Sequence, residues 1–289
     1  MNYLVHIAIM IEIYIMLALS LNLVLGFGGL MSLCHAAFYG IGAYATTLFM
    51  LHFHVSFLPA VAFSLAFTAV IAFLLSFPAL RFRGDPFVLV TLGFQIIIYA
   101  ILYNWISLTR GPYGIPGIPR PEIFGFQITS IKEYFVLASV FLVIIFIFLI
   151  PIYNSPYGLT LKALREDEIA AESLGKSAFR SFLTAFVLAG ALASIPGSLY
   201  ATYVTYIDPT SFTIDESIFQ LTILLVGGSG NLKGPVAGAI FMVVLPEALR
   251  FLGLPSSIAP NVRQIIYGLL LIVFMFFRPQ GFLGEYKVR

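Results

Sequence analysis

Charge and cysteine are scarce in this sequence. Charged residues make up 10% of its 289 residues and hydrophobic residues make up 60%, whereas a soluble domain carries roughly a quarter charged residues. The formal net charge of +2 gives neither the basic footprint of a nucleic-acid-binding protein nor an acidic tail. Cys34 is the single cysteine, which excludes an internal disulfide and a cysteine-cluster metal site.

Positive charge is missing from the first part of the chain, since Arg81 is the first Lys or Arg. The first apolar run therefore lacks the basic segment of a cleavable signal peptide, and we expect it to stay as a membrane span. Lys and Arg accumulate on the cytoplasmic side of membrane proteins. Nine fall at 81–83, 154–181 and after residue 277, against five on the other side. This bias places the C-terminus in the cytoplasm and, for an odd number of spans, the N-terminus outside.

Long apolar runs fill most of the chain, and they are continuous rather than alternating. Crossing a bilayer takes about 20 apolar residues per helix, and continuous runs favour helices over membrane strands. We predict an all-α, polytopic integral membrane protein that forms a single transmembrane domain over residues 1–289. It has about eight or nine transmembrane or partly re-entrant helices, because the seventh run is too short to cross alone. The predicted spans are 4–25, 30–51, 57–77, 86–106, 132–152, 181–203, 217–227, 234–250 and 261–277. The Gly/Pro-rich loop 107–131 is expected to be irregular.

Two glycine clusters interrupt the apolar runs. Each follows an aliphatic run and precedes a membrane segment rich in small residues. Corresponding interruptions in two halves of a transporter point to an internal repeat that flanks a pathway. Simple helix packing or a turn is the alternative. The glycines predicted to break helices are Gly26, Gly227, Gly228, Gly230 and Gly234.

Polar residues around the first cluster are the candidates for a translocation pathway. His35 is also compatible with a hydrogen-bonded packing role. In the fourth span, Gln95, Tyr99, Tyr103 and Asn104 either line an aqueous route or join helices by hydrogen bonds. A route of backbone and neutral polar groups suits a zwitterionic substrate, and equally a neutral solute such as urea. The predicted pathway residues are Asn22, Gly28, Gly29, Ser32, His35 and Tyr39.

The sequence contains few residues from which a catalytic or metal site could be built. Residues 170–177 match a relaxed phosphate-loop pattern, but Glu172 lies inside the match and no soluble α/β domain surrounds it, so we reject that interpretation. His52 and His54 are two residues apart and do not share a helical face. We therefore predict no catalytic, cofactor-binding or metal-binding residue. Glu12, inside the first span, is a candidate for proton coupling, unless it approaches the interface or pairs with a neighbour.

Four blocks of sequence, at 19–32, 165–175, 227–235 and 278–281, follow one another along nearly the whole chain. They read LSLNLVLGFGGLMS, REDEIAAESLG, GGSGNLKGP and RPQG. Together they resemble the permease subunits of branched-chain amino acid ABC importers (the LivM type). Related permeases carry urea or short amides, so these solutes remain alternative substrates for this chain.

The resemblance implies a cytoplasmic coupling segment at 154–181, whose short helix inserts into a separate ATPase subunit. The family pattern is E-A-A, three residues, then G. Ala170, Ala171 and Gly175 fit this pattern, whereas Ile169 stands where Glu is expected. The implied ATPase-coupling residues are Arg165, Glu166, Asp167, Glu168, Ala170, Ala171, Glu172 and Gly175.

The resemblance also implies an assembly in the cytoplasmic (inner) membrane of a bacterium or archaeon. A second permease would pair with this chain around one route, within membrane lipid. Two ABC ATPase subunits would use ATP, because this chain has no nucleotide-binding domain, and an extracytoplasmic binding protein would deliver substrate. Loops 107–131 and 204–216 are the candidates for receiving it. The rival hypotheses are an ion-coupled secondary transporter, which would depend on Glu12, and a membrane enzyme.

Overall fold

The structure, a computed structural model, is built almost entirely from helices. It describes residues 2–123 and 125–250, and beyond them residues 262, 265–266, 268–269, 272–274, 276 and 280–284. The α-helices in this part of the chain are α1 Asn2–Asn22, α2 His35–Phe53, α3 Phe57–Ala79, α4 Asp85–Asn104, α5 Ile106–Thr109, α6 Ile131–Asn154, α7 Pro156–Glu166, α8 Glu168–Ser173, α9 Ala178–Val204, α10 Ile214–Gly227 and α11 Lys233–Arg250. The all-α prediction is confirmed.

Six of these helices are long and apolar enough to cross a membrane, and they correspond to the first six predicted spans. They are α1 with its continuation to Phe27, α2, α3, α4, α6 and α9. The seventh predicted span lies in α10, which has 14 residues and is too short to cross alone. The eighth lies in α11, and the ninth, 261–277, falls largely outside the described residues. The total of eight or nine stays a prediction.

Helix α1 does not end at its first glycine. It continues as a π-helix over Leu23–Phe27, with Gly26 inside the π-helical turn. The Gly26 position was predicted to break the helix, yet the wider turn carries the chain through it. π-turns recur at functional sites in helices.

Small side chains set the packing of α2, α3 and α9. A Cβ at Gly42 would lie 2.6 Å from the carbonyl oxygen of Ser194, and a Cβ at Gly197 would lie 2.9 Å from the amide nitrogen of Ala43. Helices in lipid gain by such close approach because no hydrophobic force drives them together. Large apolar side chains on α4 and α6, such as Leu89 and Ile147, are 66% and 65% exposed in this single chain. These faces suit contact with lipid or with another subunit.

In the part of the chain that the structure describes, four two-residue strands lie at one end of the helix bundle. Strand β1 (Ile115–Pro116) pairs antiparallel with β4 (Tyr206–Ile207), and β2 (Glu122–Ile123) pairs with β3 (Phe126–Gln127). The expectation of a wholly irregular loop 107–131 is therefore wrong, because backbone pairing satisfies part of it. We call this end the strand end. The opposite end, with residues 28–34, 80–84, 155–177 and 228–232, is the junction end.

Candidate functional site

Asn22 joins the two glycine clusters at the junction end. Its side-chain Nδ2 donates to the carbonyl oxygen of Asn231 at 2.8 Å, and its Oδ1 accepts from the N–H of Gly230 at 3.0 Å. A Cβ at Gly26 would lie 2.6 Å from the Gly230 nitrogen, so the two segments meet backbone to backbone. We call Asn22, Gly26, Gly230 and Asn231 the glycine junction. Segments far apart in the sequence are thus fixed by one buried amide.

The second glycine cluster closes α10 against α11. Gly227 ends α10, and Gly228 follows it with φ +104°, a conformation that favours glycine. A Cβ at Gly227 would lie 2.7 Å from the nitrogen of Gly238, and the backbone of Gly234 is also within reach of it. The amides of 282–283 donate to the last carbonyls of α10. A side chain at Gly227 therefore has no room.

The remaining pathway candidates lie on the chain that leaves the glycine junction. Gly28 and Gly29 directly follow the π-helix. Ser32 is buried with its Oγ 3.2 Å from the Sγ of Cys34, and the Nε2 of His35 hydrogen-bonds the Oγ of Ser20 at 2.8 Å. These contacts place Ser32 and His35 in the packed interior of the single chain.

Tyr39 lies further along α2, among aromatic rings. Its ring centroid is 5.6 Å from that of Tyr200 and 5.1 Å from that of Phe212, and its side chain is buried. The structure therefore brings Asn22, Gly28 and Gly29 together at the junction end and places Tyr39 apart from them. All six candidates stay predictions for the pathway.

Gln95 joins elements by hydrogen bonds. Its Oε1 accepts from the N–H of Ala37 at 2.7 Å and from the Oγ of Ser217 at 3.3 Å. Its Nε2 donates to the carbonyl oxygen of Phe212 at 2.8 Å. Of the two sequence alternatives for this residue, the hydrogen-bonded joint is the one that the contacts support.

The coupling segment forms two short helices with clear starts. Ser155 caps α7, accepting from the N–H of Gly158 at 3.3 Å, and the Asp167 side chain caps α8, accepting from the N–H of Ala170 at 2.9 Å. Capping of this kind satisfies amides that have no partner within the helix. Helix α8 turns Ala171 inward and leaves Ala170 exposed.

Two large apolar side chains, one on α8 and one directly after it, point away from the coupling segment. Ile169 is 83% exposed and Leu174 is 81% exposed. Ile169 is the residue that departs from the family pattern, and it replaces a carboxylate by an apolar surface at that position. Exposed apolar side chains beside charged ones are typical of protein-binding surfaces. Glu172 and Gly175 lie on the same exposed stretch.

An ion pair ties α8 to the loop between α3 and α4. Both oxygens of the Glu168 carboxylate accept from the Nε of Arg83, at 2.9 and 3.1 Å. The Arg83 guanidinium also lies 4.9 Å from the ring centroid of Phe182. Nearby, the Tyr157 hydroxyl donates to the carbonyl oxygen of Ser181 at 2.8 Å, and burial raises the pKa of Tyr157. The coupling segment is thus held on two sides.

Arg165 connects the coupling segment to the glycine junction. Its guanidinium donates to the carbonyl oxygen of Gly26 and pairs with Glu166, with Nη2 at 2.8 Å from Oε1. Its aliphatic stem fills the space beside Gly29. The Lys162 ammonium lies 4.9 Å from the ring centroid of Phe27. Movement of α7 would therefore act directly on the π-helix.

Glu12 is buried between α1 and α6. Its Oε1 accepts from the Oγ of Ser139 at 2.5 Å. Among the described residues, no group of three or more His, Cys, Asp or Glu side chains is placed to hold a metal ion.

Comparison with known proteins decides the family. The family described as branched-chain amino acid transport system permease component matches residues 3–275. The chain belongs to this permease family.

Curated relatives of the permease agree with that assignment. The high-affinity branched-chain amino acid transport system permease protein LivM of Salmonella typhimurium is 36% identical over 302 residues, covering 96% of this chain and 69% of the relative. The probable LivM protein of Methanocaldococcus jannaschii is 25% identical over 72% of this chain and 62% of its own. The guanosine ABC transporter permease protein NupQ of Bacillus subtilis is 24% identical over 85% of this chain and 81% of its own. No solved structure matches the permease at a significant level. The relatives are permease subunits in multi-pass membrane transporters, which confirms the polytopic membrane prediction.

The strand end of the permease joins the two loops that were predicted to receive a partner. Strand β1 belongs to loop 107–131 and β4 to loop 204–216, and Ile118 N–H adds a hydrogen bond to the carbonyl oxygen of Thr205 at 3.2 Å. The two loops therefore form one connected surface.

Several contacts of the permease were not foreseen from its sequence. In the sequence, Arg83 contributes only to the charge bias that predicts the orientation in the membrane. In the structure, it pairs with Glu168, which is 85 positions away. Glu216 was placed in an outer loop, whereas it lies in the first turn of α10 beside Tyr14 of α1. No local pattern marks such pairs, because each depends on how distant helices pack.

Proposed function

We propose that this chain is a membrane-spanning permease subunit of an ATP-driven ABC importer of branched-chain amino acids. The observation that carries the proposal is the 36% identity across 96% of the chain to LivM, a relative named for branched-chain amino acid transport. The family description names the same class of substrate.

The importer would hold a second permease subunit, two ABC ATPase subunits and an extracytoplasmic substrate-binding protein. This permease would contribute half of one route and would not hydrolyse ATP itself, which is the work of the ATPases. We place it in the cytoplasmic membrane of a bacterium or archaeon with its C-terminus in the cytoplasm, as the positive charge predicts. The junction end then faces the ATPases and the strand end faces the binding protein.

Helix α8 is the part that we expect to dock in the ATPase. Ile169 and Leu174 offer apolar contacts at 83% and 81% exposure, and the acidic residues Asp167, Glu168 and Glu172 are their neighbours in the sequence. An apolar centre with a polar rim is the usual anatomy of a protein interface.

Motion of the ATPases would reach the route through Arg165. When ATP binding closes the ATPases, α8 and α7 move together, because they are joined through Asp167. Because Arg165 donates a hydrogen bond to the carbonyl oxygen of Gly26, its movement would displace Gly26. The glycine junction would then transmit this displacement to α10 and α11. The route would open alternately to each side as the helices rock.

The surface formed by loop 107–131 and by residues 204–213, the part of loop 204–216 that precedes α10, is our candidate for receiving the binding protein. It exposes large side chains, among them Tyr113 at 78% and Phe126 at 80%. Aromatic side chains are enriched at protein interfaces.

The experiment is purification from native membranes in mild detergent, followed by mass spectrometry and reconstitution of the recovered complex in liposomes. We expect an ATPase and a second permease to accompany the chain. We also expect uptake of L-leucine to require ATP and the binding protein. A chain that purifies alone and moves solute under an ion gradient would contradict the proposal. Uptake of urea or a short amide in place of L-leucine would keep the importer and change its substrate.

Glu12 separates the importer from an ion-coupled carrier. The variant Glu12→Gln keeps the shape of the side chain and removes its titration. An ATP-driven importer keeps most of its uptake with this variant, whereas a proton-coupled carrier loses uphill uptake. The same reconstituted liposomes, with and without a proton gradient, supply the measurement.

A further inference from the structure

Three polar side chains from two helices meet beside the first turns of α10. The Tyr14 hydroxyl on α1 donates to the Oε2 of Glu216 at 3.4 Å. One turn further along α10, the Nε2 of Gln220 donates to the Oε1 of Glu216 at 3.1 Å. We call Tyr14, Glu216 and Gln220 the carboxylate cluster.

The cluster contains a buried acceptor with no donor. Gln220 is 0% exposed, and its Oε1 has no hydrogen-bond partner in the described part of the chain. Leaving a buried polar atom unpaired is unfavourable, and such an atom calls for a specific explanation. This oxygen belongs to the same amide group whose Nε2 donates to Glu216, so it is one residue's side chain away from the carboxylate.

Helix capping does not account for Glu216. Its carboxylate is turned along the helix to Gln220 and across to α1. The helix start is preceded by Thr213, and Asp215 already supplies an acidic side chain in the first turn. The glutamate is therefore directed at the neighbouring polar groups.

The donors and acceptors of the cluster define the ligand it would suit. Both oxygens of the ionised Glu216 carboxylate and the Oε1 of Gln220 are acceptors, and the ionised carboxylate carries negative charge. A primary ammonium group has positive charge and three N–H donors, and hydrogen bonds between ionised partners are stronger than neutral ones. An anion would be repelled from the same place.

An aromatic wall adjoins the cluster. The ring of Phe219 packs edge-on against the ring of Tyr14, with centroids 5.1 Å apart, and its side chain is half-buried. An apolar surface beside an ammonium site matches an amino acid whose side chain is aliphatic. Glu216 is itself half-buried, so the cluster is approached past this residue.

We propose that the carboxylate cluster binds the α-ammonium group of the transported amino acid. This inference rests on the proposed function, because it assigns a substrate contact within that importer. It changes one sequence expectation, since a route lined by neutral polar groups alone would not include Glu216.

The test is uptake of radiolabelled L-leucine by the reconstituted importer carrying Glu216→Gln. The substitution keeps the size of the side chain and removes the charge. Uptake should fall about ten- to a hundredfold, which corresponds to losing one charge-assisted hydrogen bond. The ATPase activity that the loaded binding protein stimulates should persist, because docking and coupling lie elsewhere.

Asp215→Asn is the matched control, since it removes a carboxylate of the same helical turn whose side chain is exposed. Uptake by this control should stay within twofold of the wild type. Gln220→Met supplies a second variant in case Glu216→Gln does not assemble. It removes the unpaired oxygen and should reduce uptake about three- to tenfold.

The outcomes separate the two proposals. Wild-type liposomes that import no amino acid would overturn the proposed function. Wild-type uptake that Glu216→Gln and Gln220→Met leave within twofold would overturn the carboxylate cluster alone. An uptake that requires Na⁺ in the wild type and loses that requirement in Glu216→Gln would assign the cluster to a metal cation and would also overturn the inference.

Discussion

The glycine junction and the outward face of α8 lie at the same end of the permease, and they are built in opposite ways. At the junction, Gly26 and Gly230 have no side chains, so their backbones meet directly beside the Asn22 amide. On α8, the large apolar side chain of Ile169 projects outward, and 83% of it is exposed among the residues that the structure describes.

The glycine junction is therefore a packed contact inside the chain, whereas the outward face of α8 has the character of a surface that binds a partner. A contact between backbones tolerates no added atom, because protein interiors are close-packed. An exposed apolar side chain contributes little to the fold of its own chain, and its burial awaits a partner. Substitutions in the two regions should therefore affect different measurements.

The largest expected effect is beside the glycine junction, where Gly227 at the end of α10 packs against α11. Gly227→Ala places a Cβ 2.7 Å from the Gly238 nitrogen, and neither backbone can withdraw without moving a helix. Overpacking of this kind costs about 2–3 kcal/mol. The melting temperature of the purified permease should fall by roughly 5 °C or more, and uptake should be lost.

Gly93→Ala is the control for that prediction. Gly93 lies within α4, and a Cβ there would meet nothing within 4 Å. Alanine is favoured over glycine in helices by up to about 1 kcal/mol, so the melting temperature should hold or rise. Equal behaviour of the two alanine variants would contradict the close packing of α10 and α11.

The next effect is on the outward face of α8. Ile169→Asp should leave the melting temperature of the isolated permease unchanged, because the side chain is exposed. Its affinity for the ATPase should fall at least about tenfold, as for an apolar anchor of an interface. Titration of the ATPase against the permease in detergent measures both wild type and variant.

Phe126→Asp is the matched control, because Phe126 is 80% exposed at the strand end. It should leave ATPase binding as in the wild type. If Ile169→Asp bound the ATPase as tightly as the wild type does, α8 would be removed from the interface.

The smallest effect belongs to the ion pair that positions α8. The Arg83 and Glu168 side chains are 32% and 33% exposed, and pairs this open to solvent contribute about 0.5–1 kcal/mol. Arg83→Met should therefore weaken ATPase binding by less than about fivefold. Arg81→Met, an exposed arginine two residues away, should have no effect in the same titration.

The two regions also differ in how far the sequence could predict them. The glycine clusters and the coupling segment are local patterns, so their positions could be read along the chain. The contact between the two glycine clusters could not be predicted from the sequence, because Asn22 and Gly230 are 208 positions apart. Hydropathy marks where helices cross a membrane and does not record which helices touch.

Contacts between distant segments also explain the features outside these two regions that the sequence did not predict. The pairing of β1 with β4 joins two loops that the sequence treated separately. Gln95 carried two alternatives, and only its contacts with Ala37 and Phe212 distinguish them. Ile169 stood out in the sequence as a departure from a pattern, and its exposure gives that departure a physical meaning.

Arg165 lies in the coupling segment and donates a hydrogen bond to Gly26 of the glycine junction. A substitution at Arg165 therefore tests most directly whether movement passes from the ATPases to the route. The measurement is the number of L-leucine molecules imported per ATP hydrolysed by the reconstituted importer carrying Arg165→Met. We predict that ATP hydrolysis continues while this ratio falls about tenfold, since the lost hydrogen bond from a charged group to Gly26 is worth roughly 1.5 kcal/mol or more. A ratio equal to that of the wild type would contradict it.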